Sequence, residues 1–204
     1  MYESPKNKNW KGRIDGEGRS AGNRWHQVVQ KIDLSDPEDF SPDDGITRIA
    51  FLGFCSDEGV RRNQGRTGAT KGPSAIRNAL SNLAVHFKPE ELQIYDAGDI
   101  LCSQGNLEAA QLMLSLKVQG LLAKGIFPLV FGGGHEVAYG HYKAADNHLM
   151  EARQKHVGII NFDAHFDLRA VAKEVNSGTP FRQILEEYDE FKGNMPYLCL
   201  GIQE

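Results

Sequence analysis

An α/β fold with a mainly parallel sheet and helices on both faces is what this sequence predicts, and three observations carry the prediction. Short apolar runs of strand length alternate with longer segments of helical periodicity, the pattern of successive βαβ units. At 204 residues and 40% hydrophobic content the chain is sized for one domain with one core. Residues suited to ligand chemistry stand just past the ends of two of the apolar runs, where open α/β sheets hold their ligands.

Residues 1 to about 45 are rich in Gly, Asp and Ser, with isolated anchors at Trp10, Trp25, Val28 and Val29. They read as an N-terminal arm draped over the domain, with the acidic stretch Asp33–Gly45 as a solvated loop, and residues 46–204 as the α/β domain. Ile46–Phe54 is the first strong strand. A long Gly-rich loop follows to Lys71, and Pro73 suits the first turn of a helix running to about Leu83. Leu92–Asp96 is a second strand. Asn106 is an N-cap for a helix over Leu107–Lys124, stopped by Gly125. Ile126–Phe131 is a third strand, running directly into Gly132-Gly133-Gly134-His135-Glu136. Val137–Arg153 reads as a helix, Val157–Phe162 as a buried parallel strand, Pro180–Phe191 as a helix and Tyr197–Gly201 as a last strand.

The formal charge is −4, with 25% charged residues and neither a basic run nor an aromatic-basic alternation, which argues against nucleic acid as a partner and leaves a small polar molecule. Cys55, Cys102 and Cys199 are an odd number with no Cys-x-x-Cys pair, as expected of reduced thiols in a cytoplasmic protein. No apolar run approaches membrane-spanning length, so neither export nor insertion is expected.

The most informative stretch is Asn161-Phe162-Asp163-Ala164-His165-Phe166-Asp167-Leu168-Arg169. In extended backbone Asp163, His165 and Asp167 would share one face, with Ala164 and Phe166 on the other. Two carboxylates and an imidazole on one face repel or need many hydrogen-bond partners unless a cation sits among them. Without thiolates, a carboxylate and imidazole set suits Mn²⁺, Mg²⁺ or Fe²⁺ better than a structural zinc, and Mn²⁺ is the first choice. The glycines before His135 allow a tight strand-to-helix turn and a close approach of that histidine to a metal. His135, Glu136 and His141 are not a His-Glu-x-x-His zinc signature, since the second histidine comes two residues late. Nor is Gly65–Lys71 a phosphate loop, because Thr70 precedes the lysine where glycine is required. That segment does gather Arg61, Arg62, Arg66 and Lys71 near a helix N-terminus, a favourable place for a carboxylate.

Gly132-Gly-Gly-His135 and Asp163-Ala-His165-Phe-Asp167 resemble two signature motifs of the arginase/agmatinase ureohydrolases, dinuclear manganese hydrolases with a three-layer α/β/α fold. More narrowly, Trp10–Arg13, Asp57–Arg66, Gly132–Glu136, Asn161–Arg169 and Asn176–Phe181 are similar to the formimidoylglutamase branch. The resemblance implies His135 and Asp167 as ligands of one Mn²⁺, His165 as a ligand of a second, and Asp163 as a bridge. Gly134 stands where arginases have aspartate, and Ser177 where arginases and agmatinases have a loop histidine, and both differences point away from a guanidine substrate. The family's third motif, an Asp-x-Asp pair after a later strand, does not occur in these 204 residues. The expectation is a chain holding the N-terminal portion of the family domain, with a doubtful second ion.

The reaction implied is metal-dependent hydrolysis of N-formimidoyl-L-glutamate to L-glutamate and formamide, in histidine degradation. Arg169 is expected to contact a substrate carboxylate, with Arg66 as a second candidate. The alternatives are guanidine hydrolysis of the arginase or agmatinase type, and a catalytically silent fragment or assembly partner. A homo-oligomer is compatible with all of them.

Overall fold

The computed structural model describes residues 1–6, 9–15, 22–35, 45–88, 90–151, 157–191 and 196–203, without the side chains of 189–191. In chain order the elements are β1 (Tyr2–Glu3), α1 (Trp25–Val28), β2 (Gln30–Lys31), β3 (Thr47–Cys55), α2 (Glu58–Arg62), α3 (Gly72–Ser81), β4 (Leu92–Leu101), α4 (Leu107–Ala123), β5 (Phe127–Phe131), α5 (Val137–Glu151), β6 (Ile159–Phe162), α6 (Pro180–Phe191) and β7 (Tyr197–Leu200). The expected acidic loop falls mostly on 36–44, and the expected end of α5 on 152–153, all outside the described residues.

β3 is the axis of the sheet, with β4 parallel on one side and β5 parallel on the other. Its side chains alternate as a strand covered on both faces requires. Ala50, Leu52 and Phe54 are buried in the larger core with Ile100 and with Leu107, Ala110, Leu114, Val118 and Leu121 of α4. Those helix positions recur every three or four residues, one apolar stripe facing the sheet. The helix starts where Asn106 Oδ1 accepts from the Ala109 N–H at 3.0 Å, and its end is marked by Gly125 at φ +68°. Leu114 is fully buried, so Leu114→Ala is expected to cost about 2–5 kcal/mol. Phe51 points to the other face, where its ring stacks on Phe131, Trp10 and Trp25 at centroid distances of 4.7, 6.0 and 5.8 Å.

The first 45 residues do more than drape over this core. β1 pairs antiparallel with the end of β4 and β2 pairs parallel with its middle, while Trp10 and Ile32 are buried. Their short apolar segments were too isolated to show a strand period, and only the open edge of β4 makes strands of them. β4 itself runs five residues beyond the expected Asp96, because its later residues pair with β1 and β3. α2 was not expected within the Gly-rich loop.

A second correction concerns β6. The sequence predicts a buried strand from Val157, but β6 starts at Ile159 and pairs only with β7 among the described residues. Asn161 is buried, whereas Ile160 and Phe162 are 65% and 80% exposed. An apolar run implies burial only where neighbours cover both faces. Here the covered face meets the cluster of Tyr142, Phe181, Ile184 and Tyr188 from α5 and α6, with Ile159 and Tyr197 packed against it. Among the described residues no helix is long and apolar enough to cross a membrane.

Candidate metal centre

The connection after β5 carries His135 and the connection after β6 carries Asp163–Asp167, so topology delivers both to the carboxyl ends of parallel strands. The route differs from the expected extended alternation. The strand stops at Phe162, Asp163 Oδ1 accepts from the His165 N–H at 2.9 Å, and Asp167 adopts φ +47°. That left-handed conformation is one aspartate tolerates better than most side chains. A turn, rather than strand pleating, brings the acids together.

β7 and the residues just after it fix this turn. The Asp163 N–H donates to Leu200 O at 2.9 Å, the Gln203 N–H to Ala164 O at 3.1 Å, the Tyr197 hydroxyl to Phe166 O at 2.8 Å and the Cys199 thiol to His165 O at 3.3 Å. On the other side, the Gly134 N–H donates to Ser56 O at 3.0 Å, tying the His135 turn to the end of β3.

His135 Nδ1 lies 2.9 Å from Asp163 Oδ2 and 2.6 Å from Asp167 Oδ2. Neighbouring ligands of one small divalent cation at ~2.1 Å stand about 3 Å apart, so the two distances from His135 are close to the spacing of one coordination sphere. They lie within 4.8 Å of one another, the one such group among the described residues. The hydrogen bond that His135 donates to Asp167 raises the His135 pKa above its ordinary value, opposed by burial and reinforced by the charges of Asp167 and Asp163. A divalent cation would relieve the same excess of negative charge, and the donor set fits one. His165 stands beside the group, 71% exposed, with Nδ1 3.5 Å from Asp163 Oδ1. It faces the same cavity without joining the three-donor set.

That cavity, of about 280 Å³, is lined by Val60, Asn63, His135, Asp163, His165, Asp167, Arg169 and Ser177. Arg169 is therefore at the site, and it does not pair with Asp167: its Nη1 donates to Asn63 Oδ1 at 3.3 Å. Asn63 Nδ2 donates to Ser177 Oγ at 3.1 Å, and the Arg169 N–H to Gly178 O at 3.0 Å. A guanidinium, a carboxamide and a hydroxyl thus line the same cavity as the acids, a set that suits a carboxylate or amide. Arg66 is exposed in its loop and outside the cavity lining. The expected basic cluster is also spent elsewhere. Arg61 holds Glu58, and Arg62 holds Glu58, Glu108 and the carbonyls of Val175 and Gly105. Asn63 escaped the sequence reading because nothing local distinguishes an asparagine at the end of a short helix from a capping residue.

The Arginase family profile matches residues 47–204. The chain is 48% identical over 196 residues to a protein named formimidoylglutamase from Chromobacterium violaceum, covering 96% of this chain and 58% of that protein. A formimidoylglutamase from Geobacillus thermodenitrificans is 47% identical over 203 residues, covering 100% of this chain and 60% of its own length. The chain therefore spans about three-fifths of the curated relatives it matches. Among solved structures, Trypanosoma cruzi formiminoglutamase with Mn²⁺ is 39% identical with a TM-score of 0.67, covering 77% of this chain and 53% of that one. Bacillus subtilis arginase is 27% identical with a TM-score of 0.59, covering 78% and 56%. The three-layer α/β fold and its mainly parallel sheet are shared with these proteins, and the chain belongs to the arginase family.

Proposed function

We propose that the protein of which this chain forms a part or the whole hydrolyses N-formimidoyl-L-glutamate to L-glutamate and formamide, with Mn²⁺ held by His135, Asp163, Asp167 and, on the outer side, His165. The observation that supports it most is the pairing, in one cavity, of a three-donor anionic cluster with Arg169, Asn63 and Ser177. The relatives named formimidoylglutamase, and the manganese named with the Trypanosoma structure, agree with that chemistry. When bound, the metal supplies Lewis acidity and brings the pKa of water toward neutrality.

The chain's own residues do the rest. Arg169 and Asn63 hold a substrate carboxylate opposite the metal donors, so that the formimidoyl carbon lies over Asp163 and Asp167. Water adds its oxygen to that carbon, the bond to the glutamate nitrogen breaks, and that nitrogen takes up a proton as formamide departs. Fixing both ends of the substrate is the part of the barrier that positioning can remove. Ser177, in place of an imidazole, leaves the cavity wall uncharged at that point.

Asp163 and Asp167 together carry the charge that balances one divalent cation. The test is Mn²⁺ titration by calorimetry together with glutamate release from formimidoylglutamate, agmatine and arginine serving as competing substrates. Preference for agmatine or arginine would overturn the substrate, and Mn²⁺ binding unchanged in Asp163→Ala would overturn the metal site.

A further inference from the structure

We infer that Glu136 is a positioning residue that locks the α2 wall of the cavity to the His135 turn, and that its carboxylate is the reason position 134 is glycine. The inference deepens the proposed function and rests on reading this cavity as the substrate site.

Glu136 follows His135 directly, yet its side chain turns away from the metal donors into full burial. Oε1 accepts from the Gly59 N–H at 3.0 Å and from Ser56 Oγ at 3.2 Å, while its backbone carbonyl accepts from Gln111 Nε2 at 2.8 Å. No lysine or arginine is recorded as its ion-pair partner among the described residues, and Oε2 has no hydrogen-bond partner there. Burying a carboxylate against neutral donors alone costs several kcal/mol, and a hydrophobic residue would fill the space more cheaply. What the carboxylate contributes is a joint between three segments. Gly59, held by Oε1, is in the first turn of α2, its carbonyl accepts from the Asn63 N–H at 3.0 Å, and the same carbonyl accepts from the Ser177 N–H at 3.1 Å. One carboxylate thereby sets Asn63 and Ser177 relative to His135.

The space around it is cut to fit. A Cβ at Gly59 would stand 2.5 Å from Glu136 Cδ. A Cβ at Gly134 would overlap Glu136 Oε2 and stand 2.5 Å from Val60 Cγ2. The two backbones between which the carboxylate sits are thus both stripped of side chains, and a larger residue at 134 is incompatible with Glu136 in this position.

Amide hydrogen exchange on the 204-residue chain tests this without any substrate, so its failure and failure of the proposed reaction are distinguishable. Glu136→Ala should speed exchange at Gly59, Asn63 and Ser177 by about tenfold or more, the loss of a hydrogen bond to a charged group. Amides of α4 should be unchanged, and Glu136→Gln, which keeps one acceptor oxygen, should restore most of the protection. Mn²⁺ affinity in Glu136→Ala should fall far less than in Asp163→Ala, since Glu136 is outside the three-donor group. Gly134→Ala should by itself loosen Gly59, and should add little once Glu136 is alanine, a non-additivity expected only of groups in contact. Unchanged exchange in Glu136→Ala, strict additivity of the two substitutions, or a loss of Mn²⁺ affinity as large as in Asp163→Ala would each overturn the inference. Should Glu136→Ala fail to fold, Gly134→Ala and Glu136→Gln decide it alone: Gly59 unaltered by the former would sink it.

Discussion

Two clusters of aspartates, one on β4 and one at the candidate metal centre, show how the same residue types can serve structure in one place and suit chemistry in another. Arg77 is fully buried, with Nη2 2.8 Å from Asp96 Oδ1 and Nη1 2.6 Å from Asp99 Oδ1. Asp96 also accepts from Trp10 Nε1 at 2.7 Å and from the Gly98 N–H at 3.0 Å. Every oxygen of Asp96 is engaged, and the guanidinium occupies the place a ligand would need. At the candidate metal centre two aspartates meet a single imidazole beside an open cavity, and among the described residues no lysine or arginine pairs with either acid. Pairing with a buried guanidinium marks the first as a fastener, and an unmet carboxylate charge marks the second as a candidate site.

The contrast is broken most severely at Arg77. Arg77→Met leaves Asp96 and Asp99 buried without their cation and should lower stability by about 3–5 kcal/mol, read from urea unfolding, with Mn²⁺ affinity of the folded fraction unchanged. Asp163→Ala should do the reverse. Mn²⁺ affinity should drop by more than about 100-fold in calorimetry, more than is usual for a residue that only orients a ligand, while the unfolding midpoint holds or rises. A coupled loss of both properties in either variant would mean that the two clusters are not separable.

Arg169→Met sharpens the comparison at the site itself. Charge-assisted hydrogen bonds are worth roughly 1.5–3 kcal/mol, so L-glutamate should bind the Mn²⁺-loaded chain at least about tenfold more weakly, with Mn²⁺ affinity retained. Unaltered glutamate affinity would remove Arg169 from substrate recognition. The smallest effect is expected at Glu58. Its bidentate hydrogen bond to Arg61, with help from Arg62, lowers its pKa from 4.5 to about 2. A depressed carboxyl pKa gives stability that is present above pH 4.5 and lost as pH falls toward about 2. Thermal unfolding of Glu58→Gln should therefore differ slightly from the parent at pH 7 and converge with it below pH 3, the difference staying small because Arg61 is exposed to solvent.

Much of the site was legible without coordinates. His135, Asp163 and Asp167 announce themselves by residue type, by their place after apolar runs and by the glycines that free the approach, all of which are local signals. The turn that joins the two acids was less legible, because an Asx turn and a left-handed aspartate look, in one dimension, like the continuation of a strand. Arg169 ranked ahead of Arg66 in the sequence only through its place two residues past Asp167, since each is otherwise an arginine in a polar loop. Distance from the cavity separates them, and distance is not written in the order of residues.

By itself the sequence determined the alternation of strands and helices and the apolar stripe of α4, because periodicity is a property of a short stretch. Tertiary structure decided that β1 and β2 are strands, that β6 shows a face to solvent, that Asn63 and Ser177 line one cavity with His135, Asp163 and Asp167, and that Glu136 fills the gap between Gly59 and Gly134. These relations join distant segments, 77 positions apart for Gly59 and Glu136 and 114 for Asn63 and Ser177. Burial and hydrogen-bond partnership are relations between distant segments, and no local pattern encodes them.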